Sequence, residues 1–186
     1  MRAAIAALAW LAAGIALAGE PMSLHVCHEY GCRVRDEVVF DDAIFETVKQ
    51  MLATADNAVS ERHAVAAVVA RLYVEAGKQT PIWRDRGGDA NDEGEGSMDC
   101  IDHAHNTATF LHLLEARRLL RFHTVKGVVR RGFFAEHWAA QVVEKGSGDA
   151  YAVDSWYYDF GMPAVVMPLP VWQGGKRPPG IIAGFR

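Results

Sequence analysis

The stretch SMDCIDHAHNTATFLHLLEARRLL, residues 97–120, divides the chain into a helical part and a strand part. Asp99 is a good N-cap, because its short side chain can accept from the first free N–H groups of a helix. Asp102 follows three residues on, in the first turn, where a carboxylate suits the positive end of the dipole. Ile101, Ala104, Ala108, Leu111 and Leu114 recur at helical spacing, which predicts a helix from Cys100 to about Leu120. Cys100 is then its first residue. Unbonded N–H groups point outward there, and the dipole favours a thiolate.

Upstream the pattern is also helical. Asp41-Asp42 can cap a helix running to about Ala53, with Phe45, Val48 and Leu52 on one face. Ser60 can cap a second one, with Glu61 in its first turn, Val65, Val68, Val69 and Leu72 as its apolar face, and Gly77 as its stop. Residues 78–98 read as a loop. Its acidic part offers oxygens from Asp89, Asn91, Asp92, Glu93 and Glu95, but not at EF-hand spacing, so a solvated surface loop is expected rather than a calcium site.

Downstream the period changes. Phe122–Val125, Val128-Val129, Phe133–Glu144 and Ala150–Trp156 read as strands, and the turn-rich Lys145–Asp149 joins the last two as an antiparallel pair. Pro163, Pro168 and Pro170 leave room for short edge strands, and the Gly/Pro-rich tail from Gln173 reads as loosely held. Helices first and an antiparallel sheet after is an α+β layout, with N-terminal helices packed against a C-terminal sheet.

The ends add a location. Arg2, the apolar run Ala3–Ala18 and the small-x-small Ala16-Leu17-Ala18 read as a cleaved signal peptide over 1–18, too short for a spanning helix. That leaves one domain over 19–172 and a tail over 173–186, exported to a periplasm or secreted, with no stable membrane span after cleavage. A net charge of −4 gives no basis for binding nucleic acid. Cys27 and Cys32, five apart with Gly31 between them, are expected to form a local disulfide, which an exported chain can keep. A metal site there with His25 or His28 lacks a second ligand pair. The pairing leaves Cys100 as the free thiol.

His137 on one expected strand and Asp154 on the next are 17 apart, with a turn between them. Cross-strand geometry puts them within a pair or two of each other. A thiol with an imidazole base and a carboxylate orienting the ring is a way to build a cysteine nucleophile. Singly, each residue has a plainer account: Cys100 as a buried structural thiol, His137 as a strand residue, Asp154 as a turn residue.

The motifs Asp99-Cys100-Ile101-Asp102-His103-Ala104, Glu136-His137-Trp138 and Val153-Asp154-Ser155-Trp156, over about residues 96–158, resemble the core of the transglutaminase-like cysteine peptidase superfamily. The wider chain is also similar to a group of exported bacterial proteins of unassigned activity. The resemblance implies a papain-like fold and a Cys100–His137–Asp154 site. Ser155 stands where that family often has proline, and Asp99 replaces its more usual Gly-x. Asp99 adds negative charge beside the thiol, which opposes ionisation. An oxyanion hole would use the Cys100 N–H and a second donor from Trp83, Asn91 or Gln141, with Asp102 supporting the helix start.

The expected activity is a thiol-dependent hydrolase or acyl transferase acting on amide bonds of a peptide or protein substrate, with no cofactor. Two other classes stay open. One is a non-catalytic exported binding module with a protein partner. The other is a metal protein using Cys100, Asp102 and His103, with His105 nearby, although residues two apart point to different sides of a helix.

Overall fold

A computed structural model describes residues 22–88, 94–133 and 135–179. The expected signal peptide, the middle of the acidic loop with Asn91, and the last residues of the tail lie outside the described residues. The described chain begins with a hairpin, not a helix. Strands β1 (Met22–His28) and β2 (Val34–Phe40) pair antiparallel, with His28 opposite Val34. Charged residues on the outward face (Arg35, Glu37) mask the alternation in sequence, while Val26, Val38 and Phe40 are buried.

The Cys27–Cys32 disulfide closes this hairpin. Its turn takes four consecutive left-handed residues, with φ of 62° at Glu29, 60° at Tyr30, 66° at Gly31 and 59° at Cys32. Only Gly31 adopts that conformation without steric cost; each of the others costs about 1–2 kcal/mol. The turn persists because outside partners hold its N–H groups, as described below.

Two helices follow. α1 (Asp42–Ala53) is capped by Asp41, which accepts from Ile44 N–H at 3.0 Å. α2 (Ala58–Gly77) is capped by Asn57, three residues before the expected Ser60; Ser60 instead sits at the third helical position and completes a capping box. A 3-10 turn at Pro81–Arg84 interrupts the expected loop. α3 (Cys100–Ala116) begins as expected and ends four residues before Leu120. Arg118 turns left-handed at φ 57°, and Leu119 N–H closes on the Leu114 carbonyl at 2.9 Å.

The C-terminal sheet has the order β3-β4-β5-β6, all antiparallel, from β3 (His123–Arg131), β4 (His137–Glu144), β5 (Ala150–Asp154) and β6 (Val165–Pro168). β4 starts at His137 rather than Phe133, and β5 stops at Asp154 rather than Trp156. α3 packs against β3, β4, β1 and α2. Phe110, Leu111 and Leu114 of α3 share one core with Val68, Leu72, Val26, Phe40, Ala140, Val142 and Val153.

Alternate residues of β4 and β5 face the other way. Ala139 and Ala152 form a second, small core with Trp172 of the short helix α4 (Leu169–Gln173). His137 and Asp154 share the parity of that second face. The described helices thus pack mid-chain against a four-stranded antiparallel sheet, with a hairpin added at the start. Among the described residues, no helix is long and apolar enough to cross a membrane.

Candidate active site

Three devices fix the start of α3. Asp99 Oδ1 accepts from Ile101 N–H at 3.0 Å and Asp102 N–H at 2.9 Å, and Asp102 Oδ2 in turn accepts from Asp99 N–H at 3.1 Å. The hairpin turn then docks on the same two carboxylates. Gly31 N–H donates to Asp99 Oδ2 at 2.9 Å, and Cys32 N–H to Asp102 Oδ1 at 2.6 Å. Asp85 completes the seat: its Oδ1 accepts from Met98 N–H at 2.7 Å and its Oδ2 contacts His103 Nε2 at 3.0 Å.

The end of β5 is tied in from below. Ser155 Oγ lies 2.9 Å from His103 Nδ1, 2.9 Å from Thr107 Oγ1 and 3.2 Å from the Tyr73 hydroxyl. A proline at this position would remove those bonds. Ser155 therefore locks the strand end to α3, and with it the preceding Asp154.

Asp154 is 2% exposed and accepts three bonds. His137 Nε2 lies 2.7 Å from Oδ2, Trp172 Nε1 donates to the same oxygen at 2.8 Å, and Trp156 N–H donates to Oδ1 at 3.2 Å. The ladder pairs Ala140 with Val153, so His137 reaches Asp154 on the diagonal. The imidazole is caged by Trp156, Tyr157 and Trp172, with centroids 4.9, 5.3 and 5.6 Å away. Asp154 holds Nε2, which leaves Nδ1 as the nitrogen available to a reacting group.

Cys100 is the free thiol and is half-buried; the backbone N–H of Trp138, the residue after His137, favours its charged form. Burial pushes the thiol up to about 11; the Asp99 and Asp154 carboxylates push it the same way, against the Trp138 and Cys100 N–H groups. The favourable effect of the helix start is thus outweighed. Asp102 is raised to about 6, mainly by burial and then by Asp99.

The supporting residues fall out differently. Asp102 holds the helix start and the hairpin turn together. Gln141 lies four residues along β4 from His137, about 13 Å of strand. Trp83 is 57% exposed on the 3-10 turn and borders a hollow with Arg86, Asp159 and Phe160. His103 has both ring nitrogens engaged, with Asp85 and Ser155, and each Asp102 oxygen accepts one backbone N–H, from Cys32 and Asp99. Among the described residues, one group has metal-ligand proximity, Cys27, Cys32 and Asp102, and its two sulfurs are bonded to each other.

Two contributors were missed in the sequence. Trp138 is the aromatic neighbour of His137, but its backbone N–H carries no residue-type signal. Trp172 stood in a proline-punctuated segment; a tryptophan among apolar residues just before a polar tail was the one available sign of a docked end. Compared with known families, curated proteins and solved structures, the chain matches no family model, no curated protein and no solved structure.

Proposed function

We propose that the protein is an exported, transglutaminase-like thiol hydrolase or acyl transferase of papain-like design, acting on amide bonds through Cys100, His137 and Asp154. The observation that carries this reading is the buried His137 Nε2–Asp154 Oδ2 bond of 2.7 Å, together with the free, half-buried thiol of Cys100 at the start of α3. The Cys27–Cys32 disulfide agrees with an oxidising compartment.

With burial pushing it up to about 11, Cys100 rests as the neutral thiol. The proton therefore moves during attack. Cys100 sulfur bonds to the amide carbonyl carbon as its proton passes to His137 Nδ1, and Asp154 stabilises the imidazolium. The C–N bond then breaks, the amine leaves with that proton, and a thioester remains. Water releases an acid, or an amine forms a new amide.

The test is alkylation of Cys100 by iodoacetamide near neutral pH, followed by mass spectrometry. The expected result is a rate that falls strongly in His137→Ala. A rate indifferent to His137 would sink the catalytic reading. The upward push on the thiol is what favours a second reading, a binding module that keeps the geometry without turnover; that same null result would support it.

A further inference from the structure

A hollow of about 320 Å³ opens beside His137, lined by Arg131, Glu136, Trp156, Tyr157 and Arg177 among others. Arg131 stands opposite His137 in the β3–β4 ladder. It donates to the Trp172 carbonyl and, at 2.7 Å, to the Tyr157 hydroxyl, with its guanidinium carbon 4.8 Å from the Trp172 ring centroid. These bonds aim the guanidinium and leave part of its five-donor fork for another acceptor. Arg177, on the C-terminal segment, is exposed at the rim of the hollow; burial and then Asp154 raise the Tyr157 hydroxyl, while the positive charges of Arg131 and Arg177 oppose them.

The charges do not balance. Glu136, the acid on this wall, is paired with Arg130. Among the described residues, neither Arg131 nor Arg177 has a carboxylate within ion-pair distance. Arg131 and Arg177 therefore both line one concave site beside the imidazole, and the acid on its wall, Glu136, is taken up by Arg130. A planar carboxylate fits such a fork geometrically, and the aromatic walls of Trp156 and Tyr157 suit the apolar stem that carries it.

We infer that this hollow is a carboxylate-binding subsite, which selects peptide substrates bearing an acidic side chain or a terminal α-carboxylate close to the reacting amide. Its meaning as a substrate subsite rests on the hydrolase reading; the binding itself does not.

The test uses the full chain carrying Cys100→Ala, so that nothing turns over. Three probes are titrated: Ac-Ala-Glu-NH2, its uncharged counterpart Ac-Ala-Gln-NH2, and Ac-Ala-Ala-OH. Binding is followed through the indole N–H signals of Trp156 and Trp172. At least one of the carboxylate peptides should bind about tenfold more tightly than the amide. The probe that does so identifies the source as side chain or chain terminus. Arg177→Gln, an exposed position that leaves the fold intact, should weaken that binding about fivefold and leave the amide peptide unchanged. Arg131→Lys should weaken it further, with a thermal melt reporting whether the variant stays folded. Equal binding of acid and amide peptides, or an acid preference that survives Arg177→Gln, overturns the proposal. A Cys100 thiol unresponsive to His137 would instead overturn the hydrolase reading and leave this result standing.

Discussion

Asp99→Asn isolates the charge that the helix cap places beside the thiol. With Cys100 pushed up to about 11, only about one molecule in ten thousand carries a thiolate at pH 7, against a few per cent for a free cysteine. A unit charge at close range is worth about 1 kcal/mol in water and about 4 kcal/mol at a surface-like dielectric. Cys100 is partly exposed, so the lower part of that range applies, about 1.4 kcal/mol or one pH unit. Removing the charge raises the thiolate fraction at fixed pH about tenfold. The lower-pKa thiolate is intrinsically less nucleophilic, with a Brønsted slope of about 0.4–0.5, so the net gain in alkylation rate is about threefold to fourfold.

Asparagine remains a good N-cap, so the bonds to Ile101 and Asp102 N–H survive. The acceptor for Gly31 N–H is lost, at about 1 kcal/mol of stability, which a separate urea titration measures. The assay is the second-order rate of iodoacetamide labelling at Cys100 from pH 7 to 11. In the unmodified protein the rate should climb across the whole range. In Asp99→Asn the curve should shift about one unit to lower pH. A wild-type plateau by pH 9, or identical curves for the two proteins, would refute the account of burial and charge acting on this thiol.

Three further outcomes are expected. Replacing both Cys27 and Cys32 by Ser should lower stability by about 2 kcal/mol in urea and speed hydrogen exchange at the first amides of α3, since the closed turn is what meets Asp99 and Asp102; an unchanged midpoint would count against that coupling. Trp172→Phe removes the indole donor to Asp154 and should cost about 1–2 kcal/mol, together with a changed pH dependence of Cys100 labelling; unaltered values for both would mean the bond is incidental. Glu61 is buried, which alone would raise it, but bonds from His123 and from Arg121 and Phe122 N–H hold it below its ordinary 4.5. Its contribution is therefore present above pH 4.5 and lost as pH falls through the lower folded value. Glu61→Gln should be less stable by about 2–4 kcal/mol at pH 7 and show a weaker acid-side loss, measured by melts from pH 3 to 7.

The helices and the sheet were legible because both write periods into the sequence. Asp99, Asp41 and Gly77 marked their boundaries within the resolution that such signals carry. The N-terminal hairpin was not legible. Its outward face is charged, and its turn uses Glu29, Tyr30 and Cys32 in a left-handed conformation that no turn motif announces. What stabilises that turn lies about 70 residues away, on Asp99 and Asp102, and tertiary acceptors of this kind leave no local trace. The pairing of His137 with Asp154 followed from hairpin spacing. The other partners of Asp154 did not, since one is a backbone N–H and the other sits beyond β6.

Of the two carboxylates that fix the position of Cys100, Asp99 also works against its ionisation. Asp99 caps α3 and receives the hairpin turn; Asp102 completes the box and receives it too. If selection had favoured a preformed thiolate, a neutral Ser or Asn at the cap would hold the helix nearly as well without the opposing charge. An acid at this position makes more sense if placement outweighs resting reactivity. A thiol held neutral until the imidazole takes its proton reacts fastest with a carbonyl already seated beside it. In an oxidising compartment, a neutral, half-buried Cys100 is also a poor target for stray oxidation or exchange with disulfides, both of which require the thiolate. On that view Asp99 and the burial of Cys100 act together, and Asp99→Asn should trade faster alkylation for faster loss of the free thiol in oxidised glutathione. Equal lifetimes of the two thiols there would leave the cap aspartate with a purely structural role.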